Sequence, residues 1–340
     1  MRCAMENKFE IFRKCPHVVI LGAGASVAAI PDGDKFGRKI SVMDGFIDNL
    51  GMRNLLAGIE FKSENLEDIY SELSEHPEYD NIRQELEWKI RSYFKQYRLP
   101  DEPTIYDLLL LSLQEKDVVA TFNWDPLLLH AAQRVSQITP KLPHLLFLHG
   151  NVAVNFCEKD KLQVFSPNSC FCPDCQQPLT PSKLLYPVRQ KNYNSDPYIK
   201  NQWESLRHYL KIAYAVTIFG YSAPSSDVEA VKLLLEAWGG GEERKWEQIE
   251  IVDLKSNEEL REKWDAFIFG DHYQTCSSFF DTLIAESPRR STEDLYARLM
   301  DAQWIDTPNK LYPGMTWEEI KKHFASILAE EEKQEVRNDK

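Results

Sequence analysis

Five short apolar runs rich in β-branched residues each stop abruptly at a polar or glycine-containing turn. They are "VVILGAGAS" from Val18, "DVVATFNWDP" from Asp117, "HLLFLHGNV" from His144, "YAVTIFGYS" from Tyr214 and "IEIVD" from Ile249. Continuous apolarity over four to six residues is what a strand buried on both faces requires, and most of these runs are followed by an amphipathic helical stretch. Alternating strands and helices predict an α/β chain with a doubly wound, parallel, Rossmann-like sheet. In such sheets ligands bind beyond the carboxyl ends of the strands, so the five turns are candidates to line one crevice.

The first run raises an alternative. Arg13 and Lys14 precede an apolar stretch that ends in small residues, as in a secretion signal. Gly22 and Gly24 break that stretch, and its β-branched residues cluster at the start, which favours a buried strand. Glycines permit positive φ and close backbone approach, so N–H groups at the following helix start are expected to face a phosphate; a plain tight turn is the bland alternative.

From about 35 to 113 the chain is mostly helical in pattern, with "NLEDIYSELSEH" and "YDNIRQELEWKIRSYFKQY" carrying helix-period apolar positions. That is long for a crossover and predicts a helical insertion. A cysteine-rich module is expected at about 155–190, and residues 291–340 are expected to form a C-terminal helical extension to a 1–290 domain. No apolar run is long enough to span a bilayer, and a formal charge of −13 argues against general affinity for nucleic acid or anionic membrane. Seven cysteines, four of them between Cys157 and Cys175, do not form a disulfide framework and point to the cytoplasm.

"GAGAS" with "PD" shortly after, "TFNWD", "LHG", a cysteine cluster, "FGYS" and "IEIVD" occur in an order that resembles the sirtuin family over residues 18 to about 255. The resemblance implies NAD as substrate. It implies that Gly22, Gly24 and Ser26 hold the pyrophosphate, that Asn123 orients the ribose or an attacking water, and that Asp125 reads the nicotinamide amide. His149 would be the general base, a role suited to an imidazole that titrates near neutrality. Gly220, Ser222 and Asp253 would address the adenosine half, and a carboxylate at a strand end is a natural partner for ribose hydroxyls. Taken singly, "FNWDP" is also an Asx turn with Asp125 capping the next helix.

Sirtuins commonly carry a zinc ribbon of two C-x-x-C knuckles. Here only "CPDC" is intact, and the resemblance implies structural zinc on Cys157, Cys170, Cys172 and Cys175, with Asp160 standing where the first knuckle's second cysteine would be. A ribbon that has lost its metal is the alternative. Cys3, Cys15 and Cys276 lack ligand spacing and are expected to be ordinary thiols.

The chain departs from the protein-deacylase pattern at three places. Gly33 and Asp34 stand where a Phe-Arg pair would follow "PD", "LLYPVRQKNYN" replaces the segment ending in Phe-Gly-Glu, and Trp124 replaces a small aliphatic residue. These features look more like the bacterial sirtuin-like NAD hydrolases of antiphage defence, in which a protein partner or homo-oligomerisation opens the site. The expectation is therefore NAD hydrolysis to nicotinamide and ADP-ribose. The alternatives are an NAD-dependent protein deacylase and a module that senses NAD or ADP-ribose without cleaving it.

Overall fold

A computed structural model describes residues 14–40, 46–56, 58–59, 61, 63, 65–165, 171–186, 193, 196–223, 227–239, 244, 246–268, 270–303 and 309–338. Six strands, β1 (His17–Leu21), β2 (Val118–Thr121), β3 (His144–Phe147), β7 (Ala215–Phe219), β8 (Gln248–Val252) and β9 (Tyr273–Cys276), form one sheet in the order β3-β2-β1-β7-β8-β9. Every pairing is parallel. All residues of β1, β2 and β7 are buried, so both faces of the central sheet are covered and the apolar runs serve a doubly wound core. The sixth strand, β9, is the one the sequence pattern does not announce: "YQTC" is short and mixed in polarity and lies at the sheet edge.

The helices are α1 (Ala23–Ala29), α2 (Leu66–Glu75), α3 (Asp80–Lys95), α4 (Ile105–Leu111), α5 (Leu127–Val135), α6 (Pro197–Ile212), α7 (Val228–Trp238), α8 (Asn257–Trp264), α9 (Ser291–Met300) and α10 (Trp317–Asn338), with shorter turns between them. The insertion divides in two. A cluster that includes Phe46, Met52, Leu66, Leu73, Leu86 and Ile90 makes a small core of its own, closed by Trp124, Val152 and Leu184. Tyr97, Leu99 and the apolar face of α4 instead join the main core around the sheet, as do Ile320, Phe324 and Ile327 of α10. Among the described residues no helix is long and apolar enough to cross a membrane.

Opposite the carboxyl ends, a buried polar chain ties the sheet to the start of α9. His17 Nδ1 lies 2.9 Å from Ser291 Oγ and Nε2 2.8 Å from Thr217 Oγ1, which donates to Glu250 Oε2 at 2.8 Å. Burial holds His17 at a pKa of about 3, and burial pushes Glu250 up to about 7 despite donors from Leu283 N and Thr217. A carboxyl raised on folding binds more protons in the native than in the unfolded state, so its contribution falls as pH rises from its ordinary value through about 7. His17 acts in the opposite direction, gaining stability as pH rises above about 3. Comparing Glu250→Gln with the parent cancels the histidine. Thermal melts are expected to show the variant more stable at pH 8 and the difference vanishing below about pH 5; a difference independent of pH would show that Glu250 does not titrate in this range.

Candidate functional site

Because all six strands run the same way, the five predicted turns emerge from one edge of the sheet. The ladder continues a residue past each strand: Gly22 N donates to Phe219 O, Phe122 N to Leu21 O, Leu148 N to Thr121 O, Gly220 N to Val252 O and Asp253 N to Cys276 O. β1 sits between β2 and β7, where the order of connection reverses, and this is the position at which open α/β sheets form a crevice.

The glycine turn meets the β7 turn there at backbone contact. Gly22 has φ −108°, so it is not in the left-handed region; its requirement is space, since a Cβ would stand 2.4 Å from Tyr221 Cα. Gly220 has φ +60° and room for no side chain, with Ala25 N 2.3 Å from where its Cβ would be. The expectation of free donors changes accordingly. Gly24 N donates to Gly220 O and Ala25 N to Gly22 O, so these two N–H groups are engaged by backbone; the exposed backbone of the turn lies at Ala23 and Gly24.

Ser26 is the hub beneath the turn. Its Oγ donates to Asp125 Oδ2 at 2.7 Å and receives Asn123 Nδ2 at 2.9 Å; Tyr106 OH, 2.9 Å away, must then donate to it, because the single hydroxyl proton is used. Asn123 Nδ2 also donates to Gly22 O at 2.8 Å, so both amide hydrogens are placed and Oδ1 is the part of the side chain left to meet a ligand. Asp125 is buried, which raises its pKa, while donors from Ser26 and Leu127 N oppose the rise. Leu127 N donates to Asp125 Oδ1 at 3.0 Å, an Asx turn leading into α5, whose N-cap position is Pro126 and not the expected Asp125, so the turn and site roles coexist. Asn151 Nδ2 donates to Asp125 O at 2.6 Å and braces the loop from the β3 side.

His149 follows β3 and is 5% exposed. Phe122 meets its ring edge-on with centroids 4.8 Å apart, Tyr193 stacks at 5.9 Å, and Tyr193 OH is 3.3 Å from Nε2. Phe122 in turn stacks on Tyr221 at 4.2 Å, so the histidine is held in an aromatic frame drawn from three turns. Leu185 N donates to His149 O at 2.9 Å, and Ser182 Oγ bonds Asn151 N and O. The chain past the cysteine module is thereby fixed to the β3 turn. Ser222 is exposed on the β7 turn, and Asp253 is half-buried with Oδ1 accepting Lys255 N at 3.1 Å.

Tyr106, Asn151 and Tyr193 are members of this site that sequence reasoning does not find. Asn151 stands two positions after His149 in "HGN", a signal available locally. Tyr106 comes from α4, near the far end of the insertion; its one local mark is the Thr104–Asp107 capping box, which fixes where that helix starts but not what it faces.

In the cysteine module, β4 (Asn155–Cys157) pairs with β5 (Leu162–Val164) and β6 (Thr180–Pro181). One donor atom each from Cys157, Asp160, Cys172 and Cys175 lies within 4.8 Å of all the others. Cys157 Sγ is 3.5 Å from Cys175 Sγ, and Asp160 Oδ2 is 3.2 Å from Cys172 Sγ. Tetrahedral zinc with S ligands at ~2.3 Å requires ligand separations of about 3.8 Å, so three thiols and a carboxylate fit it. Among the described residues Asp160 is the fourth donor of the cluster; Cys170 lies outside them, as does Cys3. Cys276 is buried on β9 and Cys15 is half-buried, and neither belongs to the cluster.

No protein-family model matches the chain, and no curated protein matches it. Solved structures similar to it include a Sir2 homolog–NAD complex, with a TM-score of 0.42 and 15% identity over 87% of this chain and 94% of that one. Others are Sir2 with the inhibitor EX-527, 2'-O-acetyl-ADP-ribose and deacetylated p53 peptide (TM-score 0.36, 16% identity, 88% and 99% covered) and Sir2Tm bound to a propionylated peptide (0.34, 16%, 80% and 92%).

Proposed function

We propose that this chain cleaves the bond between nicotinamide and ribose in NAD with water as acceptor, releasing nicotinamide and ADP-ribose. The observation that carries the proposal is the pairing, on hydrogen-bonded strands beside the switch point, of an asparagine whose Oδ1 is uncommitted with a histidine held in an aromatic frame. Asn123 Oδ1 accepts one hydrogen of the water. The water oxygen bonds to the ribose carbon as the bond to the nicotinamide nitrogen breaks, nicotinamide leaves neutral, and the water's proton passes to His149. Asp125 receives the nicotinamide amide, the backbone at Ala23 and Gly24 faces the pyrophosphate, and Gly220, Ser222 and Asp253 line the adenosine half.

Support for water over acyl-lysine comes from residues 182–185. Ser182 N donates to Val154 O, Leu185 N to His149 O, and Ser182 O receives Arg91 at 2.7 Å, so this backbone offers few groups for a peptide strand to pair with. The cysteine centre favours the deacylase alternative, since the resemblance places a zinc ribbon in deacylases. Incubation of purified protein with NAD, with and without acetylated peptide, separates the two: ADP-ribose without peptide is expected, and O-acetyl-ADP-ribose formed only with peptide would overturn the proposal.

Zinc on Cys157, Asp160, Cys172 and Cys175 would be structural, pinning β4 to the knuckle. Metal analysis is expected to find about one zinc per chain, lost in Cys172→Ser, and a metal-free folded parent would refute it. By the resemblance, residues 1–290 would be the catalytic unit of a cytoplasmic antiphage enzyme released by a partner or self-association. Cellular NAD should then fall after phage infection and stay constant in His149→Ala.

A further inference from the structure

We infer that the groove between α3 and residues 181–186 is a second ligand site, built for a small planar molecule that carries phosphate, in class a nucleoside diphosphate. It encloses about 720 Å³, within the ~300–1,000 Å³ of small-molecule sites. Gln84, Trp88 and Arg91 reach it from one face of α3 at three- and four-residue spacing, and Lys183 faces them from the opposite wall.

Two cations there make no ion pair among the described residues, and the one carboxylate among the groove's lining residues, Glu87, is bonded by Arg83 and Tyr70. Arg91 is half-buried, and its hydrogen-bond partner is the carbonyl of Ser182; no carboxylate lies within ion-pair distance of it among the described residues. Lys183 is exposed and makes no ion pair among the described residues. Arg83 shows the contrast, being neutralised by Asp80 at 2.9 Å and Glu87 at 3.1 Å. Unpaired guanidinium and ammonium groups converging on a cleft are the chemistry that holds phosphate. The walls also supply ring surface. Trp88, 66% exposed, presents the open ring, while the buried Tyr70 stacks on Tyr186 at 4.9 Å. An aromatic platform beside cations accepts a planar base, and the exposed Gln84 amide offers donors and an acceptor to its edge.

The groove is joined to the strand-end crevice from behind. Tyr186 lies 5.5 Å from Trp124, the residue between Asn123 and Asp125, and the buried Trp124 indole N–H has no acceptor among the described residues. Ser182 bonds Asn151, which holds Asp125 O. A ligand seated here therefore touches the same segment that fixes the loops of the first site.

The test is calorimetric titration of the full chain with ADP, with pyrophosphate and adenosine as its two halves. ADP is expected to bind more tightly than either half. Lys183→Glu and Trp88→Ala, both at exposed positions, are each expected to weaken binding at the groove at least tenfold, whereas Asp253→Ala, in the crevice, is expected to leave that component of the titration unchanged. ADP binding lost in Asp253→Ala and retained in Lys183→Glu would assign the nucleotide to the crevice and overturn the inference, as would no binding at all, or binding of an acidic peptide instead. Because binding is read without turnover, failure of NAD cleavage leaves this outcome distinguishable.

Discussion

NAD turnover is expected to fall by about 10²–10⁴-fold in His149→Ala, the range lost when a positioned proton acceptor is removed. Melting temperature should move little by comparison, because the backbone bond from Leu185 N to His149 O and the aromatic contacts between Phe122 and Tyr221 survive the substitution. Asn123→Ala is expected to lose as much activity for two reasons. It deletes the Oδ1 acceptor, and it leaves Gly22 O and Ser26 Oγ without the amide that bridges them. Asn123→Asp separates these causes: it keeps an acceptor but places a carboxylate against Gly22 O, so it should be inactive if the bridge matters. Product chromatography reads all three variants. Unchanged ADP-ribose formation in His149→Ala would end its assignment as base.

Gly150→Ala should destabilise the fold more than any other single-methyl addition to the site. The residue has φ +79°, and a Cβ would sit 1.9 Å from Lys183 O, a backbone atom that cannot rotate away. The left-handed strain alone costs ~1–2 kcal/mol for an L-residue, and relief of the collision requires residues 182–185 to leave the β3 turn. A total of about 3 kcal/mol or more is expected, a fall in melting temperature on the order of 5–10 °C in a chain of this size. Gly314→Ala supplies the control, with φ +80° and open space where its Cβ would be. If the two variants melt alike, backbone strain accounts for everything and the contact with Lys183 O does not matter.

The strands and the order of their turns are legible in the sequence because a strand buried on both faces must be apolar throughout, and the turn after it must not be. Local pattern therefore suffices to put Asn123, Asp125 and His149 at strand ends. It does not suffice for Tyr106 and Tyr193, whose part depends on packing across long separations: Tyr106 reaches Ser26 over 80 positions and Tyr193 reaches His149 over 44. The glycine turn is visible too, but the physical reason for its glycines differs from the expected one. Gly22 is needed for close contact with the turn after β7, a pairing between two legible turns that neither announces locally, and that contact takes up Gly24 N, one of the N–H groups expected to be free. The strand pairing of the cysteine module and β9 fall below what short, mixed-polarity segments can signal.

The place of β1 bears on when the crevice can exist. His17 meets Thr217 across 200 positions, and the glycine turn closes only against the turn after β7. A ribosome that has released β1, the insertion, β2 and β3 has yet to supply the wall at Gly220, and pairing of such distant segments is slow even once both are present. Half-made chains thus lack the cleft altogether, so a protein that consumed NAD through it would be harmless during its own synthesis.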